Sequence, residues 1–314
     1  MTVLVNVIVT LGMLHVVPAG LRLIDPVRFL RTARHWPLAA APGALCLWLP
    51  RGMPATALAA LYAAACLALA ARAPLRLPRG RPLTPPAIAV TTALLSPSIA
   101  ATALVAERAG YRLFGFELDI LALTVPHFHF AGFTAALVAG LVCRAVGGTA
   151  GTGGLARWAA YSVPAGTLLV LVGYFVDDWA ELLGAVVLTG GMWAVALLTW
   201  REIRPTGPDR TTRTLLATSA GVLVATMLLA LWWAVGEATG ITHPTLTWMA
   251  ATHGLGNALG FALCSVLAWR RLTAETREAR EARPADQAAL AVPGPGTGPR
   301  PRPRTTSDRV EISP

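Results

Sequence analysis

The chain has no lysine; all 26 of its basic residues are arginine. Without an ε-amine there is no Schiff-base nucleophile and no lysine-bearing phosphate loop, so two large mechanism classes are excluded. Charge is scarce too. Charged residues make up 13% of the sequence, against about 25% in soluble domains. Cysteine is nearly absent. Cys46, Cys66, Cys143 and Cys264 lie in or beside apolar runs without CxxC spacing. They read as small buried hydrophobes, which excludes a disulfide framework and a cysteine zinc site. The N-terminus lacks a basic stretch and a small-x-small cleavage pattern, so its first apolar run reads as a retained span. The net charge of +10 is spread through short loops between apolar runs. No basic domain exists to hold nucleic acid, and the expected partner is the lipid bilayer.

What the chain does have is apolar length. It is 55% hydrophobic, with a mean hydropathy of +0.58. A span needs roughly 20 apolar residues. Nine runs qualify, at 2–21, 36–50, 53–71, 85–106, 118–142, 157–176, 180–200, 214–235 and 246–269. The second is short and bounded by Pro37, Pro42 and Pro50, so a re-entrant segment and a count of eight stay open. The pattern predicts an all-α polytopic membrane bundle of about nine transmembrane helices.

The arginines orient it. With the N-terminus outside and the C-terminus inside, the inner loops hold Arg22, Arg28, Arg31 and Arg34, then Arg72, Arg76, Arg79 and Arg81. Arg144, Arg157, Arg201, Arg204, Arg210 and Arg213 follow, while the outer loops hold only Arg51, Arg108 and Arg112. That is the asymmetry of a positive inside. The outer loops are acidic instead, with Glu107, Glu117, Asp119, Asp177, Asp178, Glu181 and Glu237. The expected domains are a transmembrane helical region, 1–271, and a cytoplasmic tail, 272–314. The tail opens on a charged helical pattern and becomes rich in proline and arginine, a composition that reads as disordered.

Histidines interrupt two of the spans. One segment reads His127-Phe128-His129-Phe130-Ala131-Gly132-Phe133, and the other His253-Gly254-Leu255-Gly256-Asn257-Ala258-Leu259-Gly260-Phe261. A titratable group in hydrocarbon is costly unless paired or wetted, and it marks function by default. At 1.5 Å per residue, His127 lies about 14 Å deep and His253 about 11 Å deep. His15 falls at a similar level. His253, Gly256, Asn257 and Gly260 share one helix face. His129, Gly132, Ala136 and Gly140 make a comparable stripe. The expectation is that these stripes pack together, with His129, His253 and Asn257 between them. His127 points the other way on an ideal helix and joins them only if Pro126 distorts the turn. The bland alternative is that these groups are interhelical hydrogen bonds worth about 1–2 kcal/mol each.

If a metal is bound, His127, His129 and His253 are the ligands available. No acidic ligand lies at that depth, and HxH on a helix chelates poorly, so no cofactor is firmly implied. Asp177-Asp178-Trp179-Ala180-Glu181 faintly matches an aspartate-rich magnesium box. It falls on the outer side and reads as a solvated acidic loop, leaving Asp177, Asp178, Glu181 and His15 as the weaker site candidates.

At the two histidine segments the chain resembles the YndJ-like membrane proteins. The resemblance implies a bacterial multi-span protein of the cytoplasmic membrane, of a kind sometimes labelled as a transporter, and it carries no activity. Two functions remain. One is small-molecule or proton-linked transport, with histidines as proton carriers below an acidic vestibule. The other is a membrane-embedded enzyme using histidine acid/base chemistry on a lipid or isoprenoid, in an apolar cavity lined by phenylalanines.

Overall fold

The computed structural model of the chain describes residues 2–74 and 83–290. Arg76, Arg79 and Arg81 of the expected inner loop, and the proline-rich end after residue 290, lie outside the described residues. Among the described residues the chain consists of helices joined by short turns and loops, with no strand. We number the helices α1 (Val3–Ile24), α2 (Leu30–Cys46), α3 (Met53–Ala70), α4 (Pro85–Arg108), α5 (Leu118–Val146), α6 (Gly153–Val176), α7 (Asp178–Thr206), α8 (Arg210–Thr239) and α9 (Leu246–Glu278). Eight of them, all but α2, are long and apolar enough to cross a membrane.

The short, proline-bounded run expected at 36–50 is α2. It starts earlier than expected, at Leu30, and its 17 residues include Pro37 and Pro42. Arg31, Arg34 and His35 in its opening turns lower its hydropathy. Its packing is nevertheless that of a full pass. Trp36 Nε1 donates to the Met13 carbonyl at 3.0 Å, and Asn6 Nδ2 donates to the Leu47 carbonyl at 2.8 Å, so α2 runs antiparallel to α1. Against α3, Gly43 meets the Tyr62 ring near one end, and Arg72 donates to the Thr32 hydroxyl at the other. Proline is tolerated in such a helix because neighbouring helices supply the partners it lacks.

Polar contacts define the two ends of the bundle. At the first, Gly52 N–H donates to the Arg108 carbonyl at 2.9 Å, and Arg51 Nε donates to the buried Glu107 carboxylate at 2.8 Å. Phe116 packs on Phe175 there, 5.1 Å between rings. At the second, Arg144 donates to the Leu23 carbonyl at 3.2 Å and Arg157 to the Gly147 carbonyl at 2.8 Å. Asp209 accepts there from Thr212 N–H at 2.7 Å and from Arg271. Those bonds, the backbone one foremost, hold its carboxyl down at about 2. Each of α1 to α9, taken in order, runs from one end to the other.

The chain divides into two compact units at Thr273/Ala274. The first holds the bundle. Of the second, the described part is helical as far as Leu290, as its run of alanine, glutamate and arginine favours.

Five stretches of the bundle are π-helical: Gly12–Val16 in α1, Phe128–Ala135 in α5, Thr199–Ile203 in α7, and Ala250–Gly254 and Gly256–Leu263 in α9. A π turn inserts a residue into the helical register, and such turns concentrate at functional sites. In α5 the cause is local. Pro126 has no N–H to donate back, and the π register begins two residues later. Thr134 Oγ1 then donates to the His129 carbonyl at 3.0 Å. His15, His129, His253 and Asn257 all sit in π stretches, and His127 directly precedes one.

Candidate functional site

The two histidines of α5 point to opposite sides. His129 is completely buried and stacks on Tyr62 of α3, with ring planes 15° apart. Its Nδ1 lies 2.7 Å from the Val125 carbonyl, and its Nε2 lies 2.6 Å from the Tyr62 hydroxyl. Both nitrogens are satisfied if Nδ1–H donates to the carbonyl and the tyrosine hydroxyl donates to Nε2. Trp36 closes the cluster edge-on against Tyr62. His129 therefore does not join His253 and Asn257 in one site, contrary to the expectation from the small-residue stripes.

Those stripes do pack, but each on a different helix. Gly132 lies against Ser96, and Gly140 against Ala89 and Val90, so the α5 stripe meets α4. Gly256 and Gly260 lie against Thr226 and Val222, so the α9 stripe meets α8. Small residues permit close approach without naming the partner.

His127 faces the other way, into a cavity of about 310 Å³. Residues of α1, α5, α6, α7, α8 and α9 line it. His253 and Asn257 line it as well, so three of the four leading candidates meet there. His253 Nδ1 lies 2.8 Å from the Thr226 carbonyl, which fixes the Nδ1–H tautomer. Asn257 Nδ2 donates to His253 Nε2 at 3.1 Å, and Thr226 Oγ1 donates to Asn257 Oδ1 at 2.8 Å. His253 thus has both nitrogens occupied. His127 Nε2 is buried and has no hydrogen-bond partner.

Most of the lining is apolar, with Phe128, Phe130 and Phe261 contributing rings. Toward the end of the bundle where α6 meets α7, Tyr174, Glu181, Trp233 and Glu237 join it. No arginine lines it among the described residues. Glu237 is paired with His243 of the α8–α9 loop, Nε2 to Oε1 at 3.1 Å.

The weaker candidates separate. Glu181 lines the cavity. Asp178 is exposed. Asp177 caps α7, accepting from Ala180 N–H at 2.7 Å, a structural role. His15 is exposed on the flank of the bundle and is not part of the cavity. Among the described residues no group of histidine, cysteine, aspartate or glutamate is arranged to hold a metal ion.

A family model, described as YndJ-like protein, matches residues 7–261. The chain belongs to the YndJ-like family. The match takes in both histidine segments of this YndJ-like chain and ends at Phe261, short of the charged tail. No curated protein and no solved structure matches it.

Sequence reasoning missed Tyr62, Thr226, Tyr174 and Trp233 as members of these polar clusters, and placed Glu237 only in a loop. Tyr62 carried a usable signal, since a tyrosine deep in an otherwise Ala/Leu helix needs a hydroxyl partner. Thr226 carried none, because threonine in a span ordinarily bonds its own helix.

Proposed function

We propose that this YndJ-like protein binds a small molecule in the cavity between α5 and α9 and moves it across the cytoplasmic membrane, coupled to protons. The N-terminus and the acidic end of the bundle lie outside in this reading, and the arginine-rich end lies inside. The observation that carries it is the polarity of the cavity. His127, His253 and Asn257 stand on its wall, the last two held by Thr226 behind them, and carboxylates line it toward the outer end. Imidazole is the side chain whose unperturbed charge change falls between about pH 5 and 8. The π stretches of α5 and α9 contribute to the cavity wall, and such turns concentrate at functional sites.

A second reading has one observation in its favour. His127 lines an otherwise apolar, aromatic chamber, a setting suited to acid/base chemistry on a lipid or isoprenoid. Lipid and metabolite profiles of a deletion strain beside its parent separate the two. Transport predicts unchanged lipids and an altered distribution of a soluble compound across the membrane. An accumulated lipid precursor would reject transport in favour of the enzyme.

A further inference from the structure

The cavity carries a specific charge pattern. Two carboxylates, Glu181 and Glu237, line it and no arginine does. They are not equivalent. Glu237 already has His243 against it, and Trp233 holds that ring edge-on at 4.9 Å between centroids. Both nitrogens of His243 face oxygens, Nε2 the Glu237 carboxylate and Nδ1 the Pro244 carbonyl at 3.1 Å. A protonated ring donates to both; a neutral ring can donate to one only.

Glu181 has no ion-pair or hydrogen-bond partner among the described residues. Its electrostatic neighbours are Asp178 and Glu237, both of its own sign. Glu181 stands in the first turn of α7, where its charge favours the helix N-terminus, but it makes no capping bond. Asp177 is the cap of α7, and the position that completes a capping box three residues later is Ala180. Its place in the cavity wall is also held tightly. Gly173 of α6 lies so close to the Glu181 backbone that a Cβ there would collide with it. The charged form of a carboxylate facing a mostly apolar chamber is stabilised by a cation brought against it.

A second polar residue, His127, lines the same chamber as Glu181, although its Nε2 is itself sealed and unpartnered. Between them the wall is aromatic and aliphatic, with Tyr174 and Trp233 on the Glu181 side. Aromatic faces attract alkylammonium groups. We propose that the ligand of this cavity is an organic cation, an amine or quaternary ammonium with an apolar body, whose charged end pairs with Glu181. The class of ligand rests on the small-molecule reading above. An inorganic cation does not fit, because it needs a shell of oxygen ligands and the wall is mainly carbon.

The test uses the full-length protein in detergent and two probes of the same shape. Benzyltrimethylammonium carries the charge, and neopentylbenzene replaces its nitrogen by carbon. Binding is followed by tryptophan fluorescence and by calorimetry. The wild type should bind the ammonium about tenfold or more tighter than the hydrocarbon. Glu181→Gln, the same shape without the charge, should remove that preference and leave hydrocarbon binding unchanged. Glu237→Gln should change it less, because that carboxylate is already paired. An unchanged melting temperature shows that the variant is folded, and Glu181→Asp, which keeps the charge, should recover part of the preference. Equal affinity of the wild type for both probes, or an ammonium preference that survives Glu181→Gln, would overturn the proposal. Either result leaves the small-molecule reading standing if hydrocarbon binding persists. That broader reading falls separately, on the lipid profile of the deletion strain.

Discussion

His127 and His129 stand two residues apart on α5, in the same run of phenylalanines, and meet opposite surroundings. His129 is enclosed between α5 and α3 with both nitrogens bonded and a tyrosine ring stacked on it. His127 faces a chamber with its Nε2 unpartnered. A fully satisfied buried group rigidifies its surroundings, whereas an unsatisfied one is tolerated where something else will satisfy it. Closeness in the chain is therefore a poor guide to surroundings. Two histidines two residues apart divide into one bonded at both nitrogens and one left unpartnered at Nε2.

The comparison breaks first on stability. His129→Ala should destabilise the bundle by about 2–3 kcal/mol, because it opens a cavity and removes the imidazole bonded to the buried Tyr62 hydroxyl. Thermal unfolding in detergent reads this directly. A variant as stable as the wild type would mean that the Tyr62–His129 pair is not a pin. Tyr62→Phe should cost less, about 1–2 kcal/mol, by orphaning His129 Nε2 alone. A double-mutant cycle between the two should return a coupling of roughly 1 kcal/mol, and additive effects would dissolve the pair.

His127→Ala should behave in the opposite sense. It removes no hydrogen bond at Nε2, so stability should change by less than about 1 kcal/mol while ligand-dependent behaviour is lost. If the loss of function tracks the loss of folded protein, His127 belongs with His129. Asn257→Ala should cost about 0.6 kcal/mol, a typical interhelical hydrogen bond. Its effect on activity should exceed its effect on the melting temperature.

The smallest effect is a control at the far end of the bundle. The Asp209 carboxyl is held below its ordinary 3.8, at about 2. Its contribution is complete above 3.8 and lost as the pH falls from there through about 2. Stability profiles of Asp209→Asn and the wild type should therefore run parallel from about pH 8 to pH 5 and converge only in stronger acid. Divergence above pH 5 would show that this salt bridge contaminates any pH profile assigned to the histidines.

Several features were legible without a structure because they follow from local chemistry. Twenty apolar residues between arginines demand a helix when no water is present to satisfy the backbone, and the eight apolar helices follow that rule. The two histidine segments stood out because polarity in hydrocarbon is rare. The divergence of His127 and His129 followed from helix geometry, with Pro126 as the one reason to doubt it. The π register after Pro126 leaves the two histidines on opposite sides.

Partner choice was not legible. The Gly256/Gly260 face and the Gly132/Gly140 face are equally good surfaces, and nothing local says that one meets α8 and the other α4. The hydropathy of α2 argues against a span, while the bonds Asn6–Leu47 and Trp36–Met13 lay it along the full bundle. Glu181 read as an exposed loop residue, yet it lines the cavity because Gly173 lets α6 and α7 touch at that point. The sequence alone determined that this is a helical membrane protein, how its arginines divide between loops, and where polarity enters its spans, because each depends on residues close together in the chain. Only the tertiary structure decided which histidine is bonded at both nitrogens and which is left unpartnered at Nε2, because an imidazole is satisfied or left vacant by residues from distant helices, and no local pattern encodes which helices will meet.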